Sequence, residues 1–145
     1  MQTAFESSDE RLAYALLRAV VGMNLMMHGV SRAIGGTGEF AAKLVMQFAH
    51  APLPAWSVWA FGLTLPAIEG GLGLLLLIGL RTRAALITAT ALIIVLTFGS
   101  SLLQDWSVTA TQLTYAAVYA ALLFLHKHNG WSADAWIARH SEPAS

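Results

Sequence analysis

The chain has 145 residues, 57% of them hydrophobic and 11% charged, against roughly 25% charged in a soluble domain, so it reads as an integral membrane protein with no room for a separate soluble domain. Its formal net charge is zero and it holds no basic tract, which argues against nucleic acid as a partner. It also has no cysteine, which excludes disulfides, thiolate-held iron–sulfur clusters, CxxC redox chemistry and c-type haem attachment, so any redox role needs a borrowed cofactor.

The start, MQTAFESSDER, is polar and mixed in charge and lacks the pattern of a cleavable signal peptide, so the first apolar segment is expected to stay in place. That segment, residues 12–30, is interrupted by Arg18, Asn24 and His28. A connection follows over residues 31–54. Its start, SRAIGGTG, is turn-like. Over residues 38–50, Phe40, Leu44 and Phe48 recur at i, i+4 and i+8, with Lys43 and Gln47 beside them. This spacing predicts a short helix lying in the membrane interface and ended by Pro52 and Pro54. Trp56 and Trp59 mark a membrane edge.

Residues 56–80 form the second span, long enough at about 1.5 Å per residue to cross a bilayer. Glu69 sits near its middle. Pro66 lies a turn earlier and predicts a bend; Gly62, Gly70, Gly71 and Gly73 predict close packing or a dimer seam. The basic turn Arg81-Thr82-Arg83 leads to the third span, residues 84–103, which is uncharged. After Gln104-Asp105-Trp106 comes the fourth span, residues 108–126, with Gln112, Tyr115 and Tyr119. The tail carries His128, Trp131, Asp134, Arg139 and His140, and its HKHNGW start reads as a charged, snorkelling helix end.

The pattern predicts an all-α fold: a four-helix transmembrane bundle in a single unit, 1–145, with the interfacial helix between the first two spans. The positive-inside rule puts both termini in the cytoplasm. Arg11, Arg81, Arg83, Lys127 and Arg139 then lie inside, Arg32 and Lys43 outside, and Arg18 within the membrane.

Several stretches together resemble a known family. The first span ends in His28-Gly29 followed by Arg32. The second carries Glu69-Gly70-Gly71-Leu72, a leucine run, and Gly79-Leu80-Arg81-Thr82-Arg83. The fourth leads into Asn129-Gly130-Trp131-Ser132-Ala133-Asp134. In this order and spacing, from about Arg11 to Ile137, they are similar to the DoxX/DoxD family of small bacterial and archaeal four-helix membrane proteins. The resemblance implies a cytoplasmic (inner) membrane location and a link to redox or sulfur metabolism, since the family takes its name from a subunit of a thiosulfate:quinone oxidoreductase. The chain departs from the family's ending, with Lys127 and Asn129 in place of glycines and Trp131 in place of tyrosine.

Two groups of polar residues are candidate sites. Arg18 and Glu69 fall about 10 and 16 Å below the same membrane surface by helical rise, within reach of one another. They read as a buried pair, either catalytic, anchoring a head group or relaying a proton, or a structural link between two spans. Asn24 and His28, at i and i+4, and Gln112 and Tyr115, at i and i+3, approach the outer ends of the first and fourth spans. They could line one cavity and hydrogen-bond the carbonyls of a quinone, or simply join helices. Met23, Met26, Met27 and His28 raise a soft-metal site, weighed against core or lipid-facing filler. His28 and His126 lie at opposite ends of their spans and cannot clamp one haem. The resemblance implies a quinone as cofactor, and no haem or metal is expected.

Two functions stay open. One is a DoxX-like membrane subunit that binds a quinone or similar small redox molecule and works with a redox protein partner, which as an enzyme would be a quinone-linked oxidoreductase subunit. The other is a non-catalytic membrane anchor or assembly factor for a redox complex. Membrane lipid and a homo-oligomer are further expected partners. A transporter is less well supported, because no inverted repeat of broken helices is present.

Overall fold

A computed structural model of the chain describes Gln2 to Ser141, with side chains from Ser8 onward, so the two ends of the expected unit 1–145 lie outside the described residues. The elements are α1 (Gln2–Ile34), α2 (Thr37–Gln47), α3 (Ala55–Ile78), α4 (Thr82–Leu102), α5 (Trp106–Phe124), a 3-10 turn (His126–His128) and α6 (Ala133–Ser141). Among the described residues the secondary structure is helical throughout. Residues 8–34 of α1, together with α3, α4 and α5, are long and apolar enough to cross a membrane, which makes this a multi-pass membrane protein. Phe124, Ile34 and Ile94 are 86%, 83% and 66% exposed, as lipid-facing side chains are.

The α1–α3 seam sets the register. A Cβ on Gly22 would lie 2.6 Å from the Leu77 amide nitrogen, and one on Gly73 would lie 2.2 Å from that of Met26. At Gly29 it would fall inside contact distance of the Pro66 carbonyl and the Gly70 nitrogen. The two backbones therefore touch, antiparallel, along about two turns, and small residues are what permit it. Of the glycines expected to pack, Gly62 and Gly73 do so, whereas Gly70 and Gly71 carry no neighbour at their Cβ positions. The partners on α1, Gly22 and Gly29, are seven residues apart and so share a face. Helix α3 continues through Pro66. Tyr14, Val21 and Leu25 of α1 pack with Leu76, Leu86, Ala89, Tyr119 and Leu122 into one core.

Helix α2 leans on the first half of α3, where the fully buried Ala41 fits against Gly62, and Phe48 just beyond its C-terminus reaches Gly99 near the end of α4. It is shorter than expected at its C-terminal end, stopping at Gln47.

The opposite end is organised by the tail, which is not merely a charged helix end. Asn129 donates to Thr82 Oγ1 at 3.0 Å, and the Asp134 amide donates to the Gly79 carbonyl at 3.0 Å. The Asp134 carboxylate accepts from the amides of Arg81 (2.6 Å) and Thr82 (2.8 Å), capping α4 from 52 residues away in sequence. His128 meets Glu10 of α1 at 3.2 Å, which brings the N-terminal part of α1 and the tail to the same end. The two sequence stretches at Gly79–Arg83 and Asn129–Asp134 are thus one structural unit.

Partial burial alone would raise the Asp134 carboxyl, but hydrogen bonds from Thr82 and Arg81 outweigh it and hold the group below its ordinary range. A carboxyl with a lowered folded-state value stabilises the fold above the unfolded value of about 3.9 and ceases to do so as pH falls through the lowered one. Asp134→Asn is therefore expected to lower the thermal midpoint in detergent by the same amount from pH 7 down to about 5. That difference from wild type should shrink below about pH 4. A difference undiminished at pH 3 would show that the carboxylate charge is not what caps α4.

Candidate functional site

A cavity of about 830 Å³ lies beneath α2, between α3, α4 and the start of α5. Its α2 wall is the predicted face: Phe40, Leu44 and Phe48 all turn toward it. Phe61 and Leu65 of α3 and Leu96 and Phe98 of α4 supply further apolar wall. The polar groups are few, as in small-molecule sites that fix orientation with a handful of convergent donors and acceptors.

Two charged residues line the cavity: Asp105, whose Oδ1 accepts from the Val108 amide, and Arg32. It lies in the last turn of α1 and its guanidinium binds the Glu69 carboxylate; the Glu69 side chain is 3% exposed and that of Arg32 27%. The guanidinium also stands over the Phe40 ring, 4.8 Å from its centroid, a cation–π contact that ties α2 to the pair. Gln112 is the second polar group. Its Oε1 accepts from Ser100 Oγ at 2.8 Å, and Ser100 Oγ is also 2.8 Å from Thr109 Oγ1. With the Ser100 proton on Gln112, the Thr109 hydroxyl donates either to Ser100 Oγ or to the Asp105 carbonyl 2.9 Å away. This chain of hydroxyls fixes the Gln112 amide so that its N–H groups, unused among the described residues, are free for the cavity.

The expected Arg18–Glu69 pair does not form. Because Gly22 lies against Leu76 and Leu77, Arg18 sits level with the end of α3, while Glu69 lies level with the last turns of α1, where Arg32 is. Measuring both depths from the flanking arginines placed α1 too high, since its N-terminal part continues beyond the turn that ends α3. Arg18 is 4% exposed and serves backbone instead. Its Nη1 donates to the carbonyls of Leu76 (2.6 Å) and Leu77 (3.2 Å), and its Nη2 donates to that of Trp131 (2.8 Å). The first two lie in the last turn of α3, where a cation is favoured, and Trp131 lies in the connection before α6. The fit uses the left-handed Gly79 (φ 72°), at which a Cβ would collide with the Arg18 guanidinium and Ser132.

The second expected group divides. Asn24 Nδ2 donates to Tyr115 Oη at 3.0 Å, a bond between α1 and α5 of the kind worth about 0.6 kcal/mol in membranes. Gln112 reaches the cavity; Asn24, Tyr115 and His28 are not among its lining residues, and His28 is exposed on α1. Among the described residues no group of three or more His, Cys, Asp or Glu side chains gathers at one point. Arg32, Ser100 and Thr109 were missed. By sequence Arg32 falls in a turn-like outer stretch that follows the first span, whereas α1 runs on to Ile34 and places it one turn beyond His28.

The chain matches no protein-family model, no curated protein and no solved structure.

Proposed function

We propose that this is a DoxX-like membrane subunit that holds a quinone, or a similarly flat redox molecule with two carbonyls, in the cavity under α2, and works with a redox protein partner in the inner membrane of a bacterium or archaeon. The observation that carries this reading is the cavity itself: aromatic walls from Phe40, Phe48, Phe61 and Phe98, with the Gln112 amide and the Arg32 guanidinium as hydrogen-bond donors. A quinone would supply the two-electron, two-proton chemistry. The protein's share is to bind and orient. Gln112, held by Ser100, donates to one carbonyl; Arg32, held by Glu69, offers charge to the other; the phenylalanines exclude water. Glu69 is then a positioning residue, and Arg18 belongs to the framework. The five inside cations against two outside support the orientation with both termini cytoplasmic, and the apolar face of α2 turned to the cavity suits a helix at the outer interface.

Purified protein in detergent is expected to show a near-ultraviolet quinone band that borohydride removes. Gln112→Leu should weaken quinone retention about threefold to tenfold, the size of one neutral hydrogen bond. His28→Ala, off the cavity, should leave it unchanged. A featureless spectrum, with added quinone not retained, would favour the anchor or assembly reading, which draws on the structural use of Arg18 and on the Asn24–Tyr115 bond.

A further inference from the structure

A second cavity, of about 440 Å³, lies at the opposite end of the bundle, between α1, the 3-10 turn and α6. Arg11, Lys127 and Arg139 line it, and none of the three is engaged in an ion pair among the described residues. Asp134 also borders it, but its carboxylate is taken up by the Arg81 and Thr82 amides. Among the described residues the lining thus sets three cations against the one Asp134 carboxylate, a net positive charge. Two polar atoms of its lining residues are buried without a hydrogen-bond partner among the described residues, His126 Nε2 and Asn129 Oδ1. Asn129 is 9% exposed and its Nδ2 is already committed to Thr82, so Oδ1 is a fixed acceptor that lacks a donor. An ionised phosphodiester cannot supply one; a hydroxyl can.

The flanks are apolar. Phe124 precedes the cavity, and Trp131, Trp136 and Ile137 beside it are more than two-fifths exposed. Exposed tryptophans next to cations mark the head-group level of a bilayer, where basic pockets between helices take anionic lipid. We propose that this cavity binds the head group of an anionic phospholipid bearing free hydroxyls, a phosphoglycerol. The phosphate lies among Arg11, Lys127 and Arg139, a glycerol hydroxyl donates to Asn129 Oδ1, and the acyl chains run along Phe124 and the tryptophans. A free phosphate shares the anion chemistry, and its P–OH can reach the acceptor, but it leaves the apolar flank unused. The proposal is independent of the quinone reading.

The test is lipid retention by the full chain in detergent, read by native mass spectrometry with phosphatidylglycerol, phosphatidylmethanol and phosphatidylcholine as probes. Phosphatidylglycerol should bind tightest. Phosphatidylmethanol has the same charge without hydroxyls and should bind more weakly; equal binding of the two overturns the assignment. Replacing Arg11, Lys127 and Arg139 together by Gln should lower phosphatidylglycerol affinity by on the order of a hundredfold, about fivefold per charge. Among the described residues their side chains make no ion pair, so the variant should melt as wild type does in phosphatidylcholine. Unchanged affinity in it overturns the proposal. Should the variant not accumulate, wild-type retention across 50 to 500 mM salt decides, at roughly the range over which screening lengths fall below 10 Å. Loss with salt supports the proposal and indifference to salt overturns it. Inorganic phosphate or glycerol 3-phosphate displacing the lipid at equal concentration would assign the cavity to a soluble anion instead.

Discussion

Arg32→Met is expected to destabilise the folded protein by about 3–5 kcal/mol, because it leaves the Glu69 carboxylate buried with no partner. Adding Glu69→Leu should restore most of that loss, since removing both charges also removes the desolvation cost of each. Glu69→Leu should do nothing to rescue Arg18→Met, whose damage lies in the unpaired carbonyls of Leu76, Leu77 and Trp131. Two double-mutant cycles, read as thermal midpoint and folded yield in detergent, make the comparison. Strong coupling between positions 18 and 69, with none between 32 and 69, would invalidate the register described for α1 and α3. The rescued pair also separates stability from function. If the Arg32→Met/Glu69→Leu protein is folded and yet retains less quinone than wild type, Arg32 contacts the ligand; if retention is full, only Gln112 does.

The second large effect is steric. Gly73→Ala should cost about 3 kcal/mol or more, because its methyl would lie 2.2 Å from the Met26 nitrogen and neither backbone can yield without opening the seam. Gly71→Ala, two residues earlier, meets nothing and should be neutral or slightly stabilising, since alanine is the better helix former. Gly71 is exposed and Gly73 buried two residues apart in the same helix, so unfolding measured side by side tests the buried contact. A Gly73→Ala protein as stable as wild type would mean that α1 and α3 are not in backbone contact.

The spans and the cavity wall were legible for one reason: both are written as apolar periodicity. Phe40, Leu44 and Phe48 share a face in the sequence and share a wall in the structure. The polar partners were not legible, because pairing depends on axial register, and register here is set by Gly22, Gly29 and Gly73 rather than by where the hydrophobic runs begin. A slip of about two to three turns in that register exchanged Arg18 for Arg32 as the neighbour of Glu69. The tail was opaque for a related reason. Asn129, Ser132 and Asp134 look like surface residues, and only the left-handed Gly79 and Arg81 at the α3–α4 turn give them amides and a carbonyl to bind. Gln112 stood out as a polar residue on the fourth span and lines the cavity, while Ser100 and Thr109, which hold it, carried no pattern beyond a hydroxyl on an apolar helix.

The bond from Arg18 to the Trp131 carbonyl spans 113 residues. During synthesis α1 enters the membrane long before Trp131 exists, and even after α3 has arrived the guanidinium holds only part of its final set of acceptors. Completion waits until the last span is in place and the tail has emerged and turned back. The protein therefore carries its own timer. Before that point Arg18 is only half satisfied, and its full set of acceptors is met when the tail has docked.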